Sequence, residues 1–328
     1  MSVKTIAVVG ATGNQGSGVV SALLSSTSFS VRAISSNPTS AKAQGFLDKH
    51  RAHAHSGRLT IVKGDLNIPQ ELCDALSGTQ GLFAALPFMV EKDELGTPLE
   101  LKQGQTLVDA AKAVGIEHFV YSGLPSIAEL SDGKYTAATH WEAKNRIAQY
   151  AETHLKAVSV LNTGAFYSDL QWSLFARREC DNSVTFCFPY PPDVPLQWLD
   201  DRYDVGTFAA AVFTRGPDAT AGKVYKVVSA PLTGPELALE YHNATGEAAK
   251  FVPLPLEKAL DLFVETTGNN AKQELGDMIK FVSTFPPGEH ASSGSTPQYA
   301  DAWDDLGVRA SSFMQYLERT GFRVGGSL

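Results

Sequence analysis

Cysteine is scarce in this chain. Cys73, Cys180 and Cys187 are its only three in 328 residues, too few and too widely spaced for a disulfide framework or a Cys-x-x-Cys pair. They fit a reducing compartment. No apolar run approaches the length that spans a bilayer, and the amino terminus runs straight into a strand pattern instead of a signal peptide. Positive charge is also short: 27 Lys and Arg against 35 Asp and Glu give a net charge of −8. That balance argues against direct, non-specific nucleic-acid binding, which needs clustered Lys and Arg. There is no Gly-x-Ser-x-Gly elbow and no Gly-Lys-Ser/Thr phosphate loop. His50, His53 and His55 have ligand-like spacing, but only Asp48 accompanies them, so the reading is a solvated turn and no metal site. The expectation is a cytoplasmic protein that does not engage a membrane, with the nucleus left open.

What is present is organised around Thr5-Ile-Ala-Val-Val-Gly-Ala-Thr-Gly-Asn-Gln-Gly16. An apolar, β-branched run of this kind is the pattern of a strand buried on both faces. Gly10, Gly13 and Gly16 follow it, and then Val19, Val20, Leu23 and Leu24 recur at helical spacing. Strand, glycine turn and helix form the dinucleotide-binding context. The first glycine permits the turn, the second lets a pyrophosphate approach the backbone, and the third lets helix and strand pack closely. The start of the helix offers unpaired N–H groups and a partial positive charge.

Further strands are read at 31–34, 59–63, 81–86, 118–122 and 157–161, and helices at 39–49, 69–76, 99–114 and 140–154. Residues 51–57 read as a polar turn and 123–139 as a loop. Gly115 stands where a helix ends in the left-handed region. This alternation predicts an α/β fold, a Rossmann-type doubly wound parallel sheet over residues 1–161. Residues 162–328 are read as a smaller mixed α+β cap region packed on it. There, helices are predicted at 166–178, 201–214, 233–245, 256–268, 271–282 and 311–319, and strands at 183–188 and 223–228. Thr233 and Glu236 have the spacing of a capping box. The proline-rich stretch 188–195 reads as loop, and 286–297 as a Pro-, Gly- and Ser-rich mobile stretch.

Ligands of such sheets bind at the carboxyl ends of the strands. The predicted cofactor-binding residues are therefore Gly10, Thr12, Gly13, Asn14, Gln15 and Gly16; Ser35, Ser36 and Asn37; Asp65 and Leu66; Leu86, Pro87 and Phe88; and Ser122 and Gly123. NAD binding calls for a carboxylate at the end of strand two, yet no acid lies between Leu24 and Asp48. Two serines stand there instead, with Arg32 and Lys42 in reach of a phosphate unless Arg32 points away on its strand, so NADP is preferred over NAD. Asp65 is placed either for the adenine edge or to cap a turn. None of the ten tyrosines has Lys four residues on, which removes the acid–base pair of ordinary short-chain dehydrogenases. His140 and Lys144 share one helix face instead. Lys144 reads either as a contact to the nicotinamide ribose with acid–base capacity or as a solvated surface lysine.

The combination of Gly10-Ala-Thr-Gly-Asn-Gln-Gly16, Gly64-Asp-Leu66, His140-x-x-x-Lys144, Leu161-Asn-Thr-Gly-Ala-Phe-Tyr167 and Thr320-Gly-Phe322 resembles the NmrA-like family of atypical short-chain dehydrogenases. The resemblance runs over nearly the whole chain and is strongest over 1–170. It implies either a reductase of quinones and related aromatics, in which the residue matching Lys144 is catalytic, or a regulator that binds dinucleotides without turning them over. The chain departs from the family at Ser36, where many relatives carry Arg. The candidate catalytic residues are Lys144, His140 and Tyr167. Phe88, Tyr121, Phe166, Tyr167, Trp172, Phe188 and Tyr190 either line an apolar substrate pocket or, for most of them, belong to the core. The partner is then a small-molecule substrate or, for a sensor, a regulatory protein.

Overall fold

The computed structural model describes residues 4–89, 91–268, 270–285 and 299–326. In chain order the first half runs β1 (Thr5–Val9), α1 (Asn14–Ser26), β2 (Ser30–Ser35), α2 (Ala41–Lys49), α3 (Arg51–His55), β3 (Leu59–Lys63), α4 (Pro69–Leu76), β4 (Gly81–Ala84), α5 (Leu99–Val114), β5 (His118–Gly123), α6 (Ile127–Leu130), α7 (Thr139–His154) and β6 (Val158–Thr163). There follow β7 (Ala165–Phe166), a 3-10 turn (Tyr167–Gln171), β8 (Ala176–Arg178), β9 (Val184–Phe186), β10 (Trp198–Leu199), α8 (Tyr203–Arg215), α9 (Pro217–Thr220), β11 (Lys223–Val227), α10 (Gly234–Thr245), β12 (Ala249–Phe251), α11 (Leu256–Thr267), α12 (Lys272–Thr284), β13 (Tyr299–Ala300), α13 (Ala302–Leu306) and α14 (Phe313–Thr320).

The main sheet has the order β13-β11-β6-β5-β4-β1-β2-β3, with every pairing parallel. Neighbouring side chains on β1 enter different cores, as strand geometry requires. Ile6 and Val8 pack beneath α1 and α8, while Ala7 and Val9 pack beneath α4, α5 and α7. The sheet draws on both sides of the 161/162 division, because β11 pairs onto β6, β13 pairs onto β11, and α8 covers the α1 face. A third core, with Tyr167, Phe186, Trp198, Tyr241 and Phe313, unites the smaller sheet β12-β9-β8 with α10 and α14.

Helices α1 and α8 touch through glycine. A Cβ on Gly18 would lie 1.7 Å from the Arg202 carbonyl oxygen, and one on Gly206 would lie 2.5 Å from that of Gly18. Gly115 ends α5 at φ 77°, and Thr233 with Glu236 forms the capping box of α10.

Three local expectations are corrected. Residues 166–178 form a short strand, a 3-10 turn and a second strand instead of a helix. Their apolar spacing imitates a helix, but parallel pairing of Ala165–Phe166 with Trp198–Leu199 overrides it. Within the expected turn 51–57, Arg51–His55 is helical: Ala52 and Ala54 favour helix, and Gly57 is the next residue to break it, at φ 77°. The expected loop 123–139 contains α6, started by the Ser126 hydroxyl accepting from the Glu129 N–H. The stretch 286–297 lies outside the described residues.

Candidate active site at the carboxyl edge of the sheet

Between β1 and α1 the chain turns through Gly10 at φ 77°, closed by the Gly13 N–H donating to the Gly10 carbonyl at 2.8 Å. A Cβ on Gly16 would stand 2.2 Å from that same oxygen, so only glycine lets α1 start so close to β1. The first turn of α1 has no side-chain cap and no acidic residue. Its leading N–H groups and positive dipole end therefore face the edge without a capping side chain among the described residues. The hydroxyl of Ser122, from β5, donates to Gln15 Oε1 at 2.6 Å and ties the start of α1 to the middle of the edge. Asn14 Oδ1 accepts from the Arg202 guanidinium at 3.2 Å, and Thr12 is half-buried in the turn.

Beyond β2, Ser35 Oγ accepts the Asn37 N–H, and Asn37 Oδ1 accepts from Thr39, while Ser36 is exposed. Asp65 Oδ1 accepts from both nitrogens of Asn67, the turn-capping alternative; the neighbouring Leu66 packs on the α4 core. Arg32 is a correction. It sits in mid-strand opposite Ala7 and Thr60, and its guanidinium donates to the carbonyls of Ala75 and Ser77 at 3.0 and 2.6 Å. The final carbonyls of α4 need donors, and Arg32 supplies them away from the carboxyl edge. Lys42 lies exposed on α2.

Beside β4 and β5 the structure gathers the charged groups. Lys144 Nζ donates to the Leu86 carbonyl at 3.1 Å and to Glu100 Oε1 at 2.5 Å. The lysine side chain is 13% exposed and the glutamate 0%, so this is a buried ion pair and not a solvated lysine. Burial raises the Glu100 carboxyl above its ordinary range, although Lys144 pulls the other way. The Tyr121 hydroxyl lies nearby, fully buried, without a hydrogen-bond partner among the described residues, and burial holds it strongly protonated. One turn earlier on α7, His140 Nδ1 is bonded to Glu274 Oε1 at 2.5 Å. The ring of Phe88 meets His140 edge-on, with centroids 4.8 Å apart. Burial alone would raise Glu274, but its bonds to His140 and Thr139 bring it below the usual carboxylate value. Pro87 and Phe88 are exposed, and Gly123 is buried against Val160 and Asn162.

Tyr167 is a second correction. Its ring stacks on Trp198 and lies against Phe313 and Tyr316, with the hydroxyl paired to Ser229 at 3.0 Å. At 0% exposure it belongs to the third core and is not placed to touch a substrate. Tyr121 and Phe188 are buried likewise, whereas Phe88 and Trp172 are each 41% exposed. Among the described residues no cluster of three His, Cys, Asp or Glu side chains is arranged to hold a metal.

Glu100 and Glu274 escaped the sequence reading. A signal was present in each helix. Glu100 shares the α5 face of Gly104, Leu107, Val108 and Ala111, and Glu274 that of Ala271, Met278 and Phe281. A carboxylate on an apolar helix face calls for a buried partner.

Comparison with known proteins places this geometry in context. The sequence profile of the NmrA-like family matches residues 2–306. The NmrA-like family domain-containing oxidoreductase hkm9 of Aspergillus hancockii is 30% identical over 273 residues, covering 79% of this chain and 78% of its own. The crystal structure of NmrA, a negative transcriptional regulator, in complex with NAD has a TM-score of 0.74 at 21% identity, over 98% of this chain and 96% of that one. The Citrobacter sp. triphenylmethane reductase complexed with NADP(H) reaches 0.68 at 20% identity, over 96% and 99%.

Proposed function

The chain belongs to the NmrA-like family, and from that premise we propose that it binds a nicotinamide dinucleotide, NADP(H) in preference to NAD(H), and reduces a small aromatic, quinone-like or carbonyl substrate. The turn Gly10–Gly16 and the uncapped start of α1 would hold the pyrophosphate. Ser35, Ser36 and Asn37 would meet the adenosine ribose or its phosphate, without a carboxylate to repel it. Leu86, Pro87, Phe88, Ser122, Gly123 and Lys144 would flank the nicotinamide half. When bound, the reduced nicotinamide supplies a hydride.

The single observation that carries the reading is the Lys144 ammonium, fixed beside the Leu86 carbonyl by a buried carboxylate. Burial makes that cation an orienting group, since any movement would strand Glu100. The exposed rings of Phe88 and Trp172 offer flat apolar surface to an aromatic substrate.

A second reading is a redox sensor that binds the dinucleotide and a regulatory protein without turnover. The core position of Tyr167 and the full pairing of Lys144 favour it, because both reduce the proton donors available to a substrate. NADPH oxidation across a panel of quinones, aromatic enones and aldehydes, with affinity measured by calorimetry on the same preparation, separates the two. Turnover of at least one compound supports the reductase. Tight binding with no turnover supports the sensor.

A further inference from the structure

We propose that His140 is the proton donor of the reduction and that Glu274 of α12 is its positioning residue, an assignment that rests on the reductase reading above. Glu274 Oε1 accepts both the His140 N–H at 2.9 Å and the ring at Nδ1, while Oε2 accepts the Thr139 hydroxyl at 2.9 Å. Three residues further along α12, Asp277 Oδ2 accepts the N–H groups of Thr136 and Ala137 at 3.0 and 2.9 Å. The Ncap of α7, Ala138, has no capping side chain of its own. Helix α12 therefore supplies the acceptors that the start of α7 lacks, and in doing so locks the imidazole.

With its proton held on Nδ1 toward the carboxylate, the ring has Nε2 as its working atom. Among the described residues Nε2 makes no protein hydrogen bond. The ring stands under the exposed edge group Phe88, one helical turn from Lys144. The charged groups around it are Glu274 on α12, Glu100 on α5 and Lys144 on α7, and the last two neutralise one another. Lys144 holds position while His140 is left to exchange a proton. The substrate class follows: it must present an oxygen that becomes basic on reduction, as a carbonyl or quinone does. A hydride, with its two electrons, would pass from the reduced nicotinamide to the substrate carbon, and the pair of the broken C=O π bond would move to the oxygen. The oxygen takes the proton from the imidazolium Nε2, and the neutral ring recovers one from water. Glu274 stays ionised throughout.

The test uses the full chain with saturating NADPH and the quinone and aldehyde panel. His140→Asn should lower kcat roughly 100-fold, the usual contribution of a general acid, with cofactor affinity retained. Glu274→Gln should lower kcat less and move the alkaline limb of its pH profile to lower pH. A purely structural role would scale kcat equally at every pH. Nitrogen NMR of the histidine ring supplies a readout free of turnover: the neutral ring should carry its proton on Nδ1 in the wild type and become a tautomer mixture in Glu274→Gln. Should His140→Asn fail to fold, Glu274→Gln and the NMR still decide. Turnover by the wild type with kcat unchanged in His140→Asn, or a neutral ring protonated on Nε2, overturns the assignment and leaves the reductase reading standing. No turnover of any compound by the wild type overturns both.

Discussion

The Nζ of Lys144 lies 2.5 Å from Oε1 of Glu100, and the glutamate side chain has no exposed surface at all. Breaking a buried pair by removing one partner strands the other charge, which costs about 3–5 kcal/mol. Lys144→Ala should therefore unfold at clearly lower urea, besides losing turnover. The combination Lys144→Met with Glu100→Gln removes both charges and should recover much of that stability. If the lysine orients the cofactor, turnover stays low in the stable double variant. A double variant with wild-type kcat would reduce Lys144 to a structural role.

The glycines divide by function. Gly18→Ala forces a Cβ to within 1.7 Å of the Arg202 carbonyl oxygen, so α1 and α8 must separate. Overpacking of this kind costs typically 1–3 kcal/mol, and urea denaturation should show it. At Gly13 the φ of −83° suits any residue, and the nearest contact of a Cβ is 3.2 Å to Gly10 O. Gly13→Val should keep the fold, checked by circular dichroism, yet abolish NADP(H) and NAD(H) binding in calorimetry. Retained affinity would mean that the glycine serves packing alone.

The Rossmann half was legible because its signals are local: glycine turns, doubly buried strands and helix caps lie within a few residues of one another. What escaped depends on contacts across long separations. Phe166 and Tyr167 read as helix until Trp198–Leu199 pairs beside them. Arg32 read as a phosphate ligand because its use by Ala75 and Ser77 depends on where α4 ends. Lys144 and His140 were visible as a helical pair, but their carboxylates come from residues 100 and 274, on two other helices.

Burial also sets an acid limit. His118, at the start of β5, is held down at about 4, chiefly by desolvation and then by the Lys4 charge. Its Nε2 lies 3.1 Å from both Ser159 Oγ and Thr220 Oγ1. The unfolded chain takes up this proton near the ordinary value of about 6.5, and the folded chain does not. Stability from the neutral ring is thus complete above pH 6.5 and is lost as pH falls toward 4. Urea unfolding at pH 7 and pH 4.5 should show a loss on the order of 2–3 kcal/mol from this group. His118→Gln should flatten that part of the dependence; an unchanged slope would assign it elsewhere.

Cofactor preference is the last expectation, and the placement of Arg32 changes its size. With that guanidinium bonded to α4, the two serines at 35 and 36 and the amide of Asn37 are the polar groups left at the end of β2, and Lys42 on α2 is the nearest cation in sequence. No acid lies between Leu24 and Asp48 in the sequence to repel a phosphate from this segment, so NADP(H) should bind more tightly than NAD(H), but by a modest margin. Ser36 is exposed and makes no side-chain hydrogen bond among the described residues. Ser36→Arg would add a charge-assisted bond to the phosphate, worth about 1.5–3 kcal/mol, or roughly 10- to 100-fold in affinity. Calorimetry should show NADP(H) affinity rising by that factor in Ser36→Arg, with NAD(H) affinity little changed. Equal gains for both dinucleotides, or a wild type that prefers NAD(H), would show that the end of β2 does not face the 2′-phosphate.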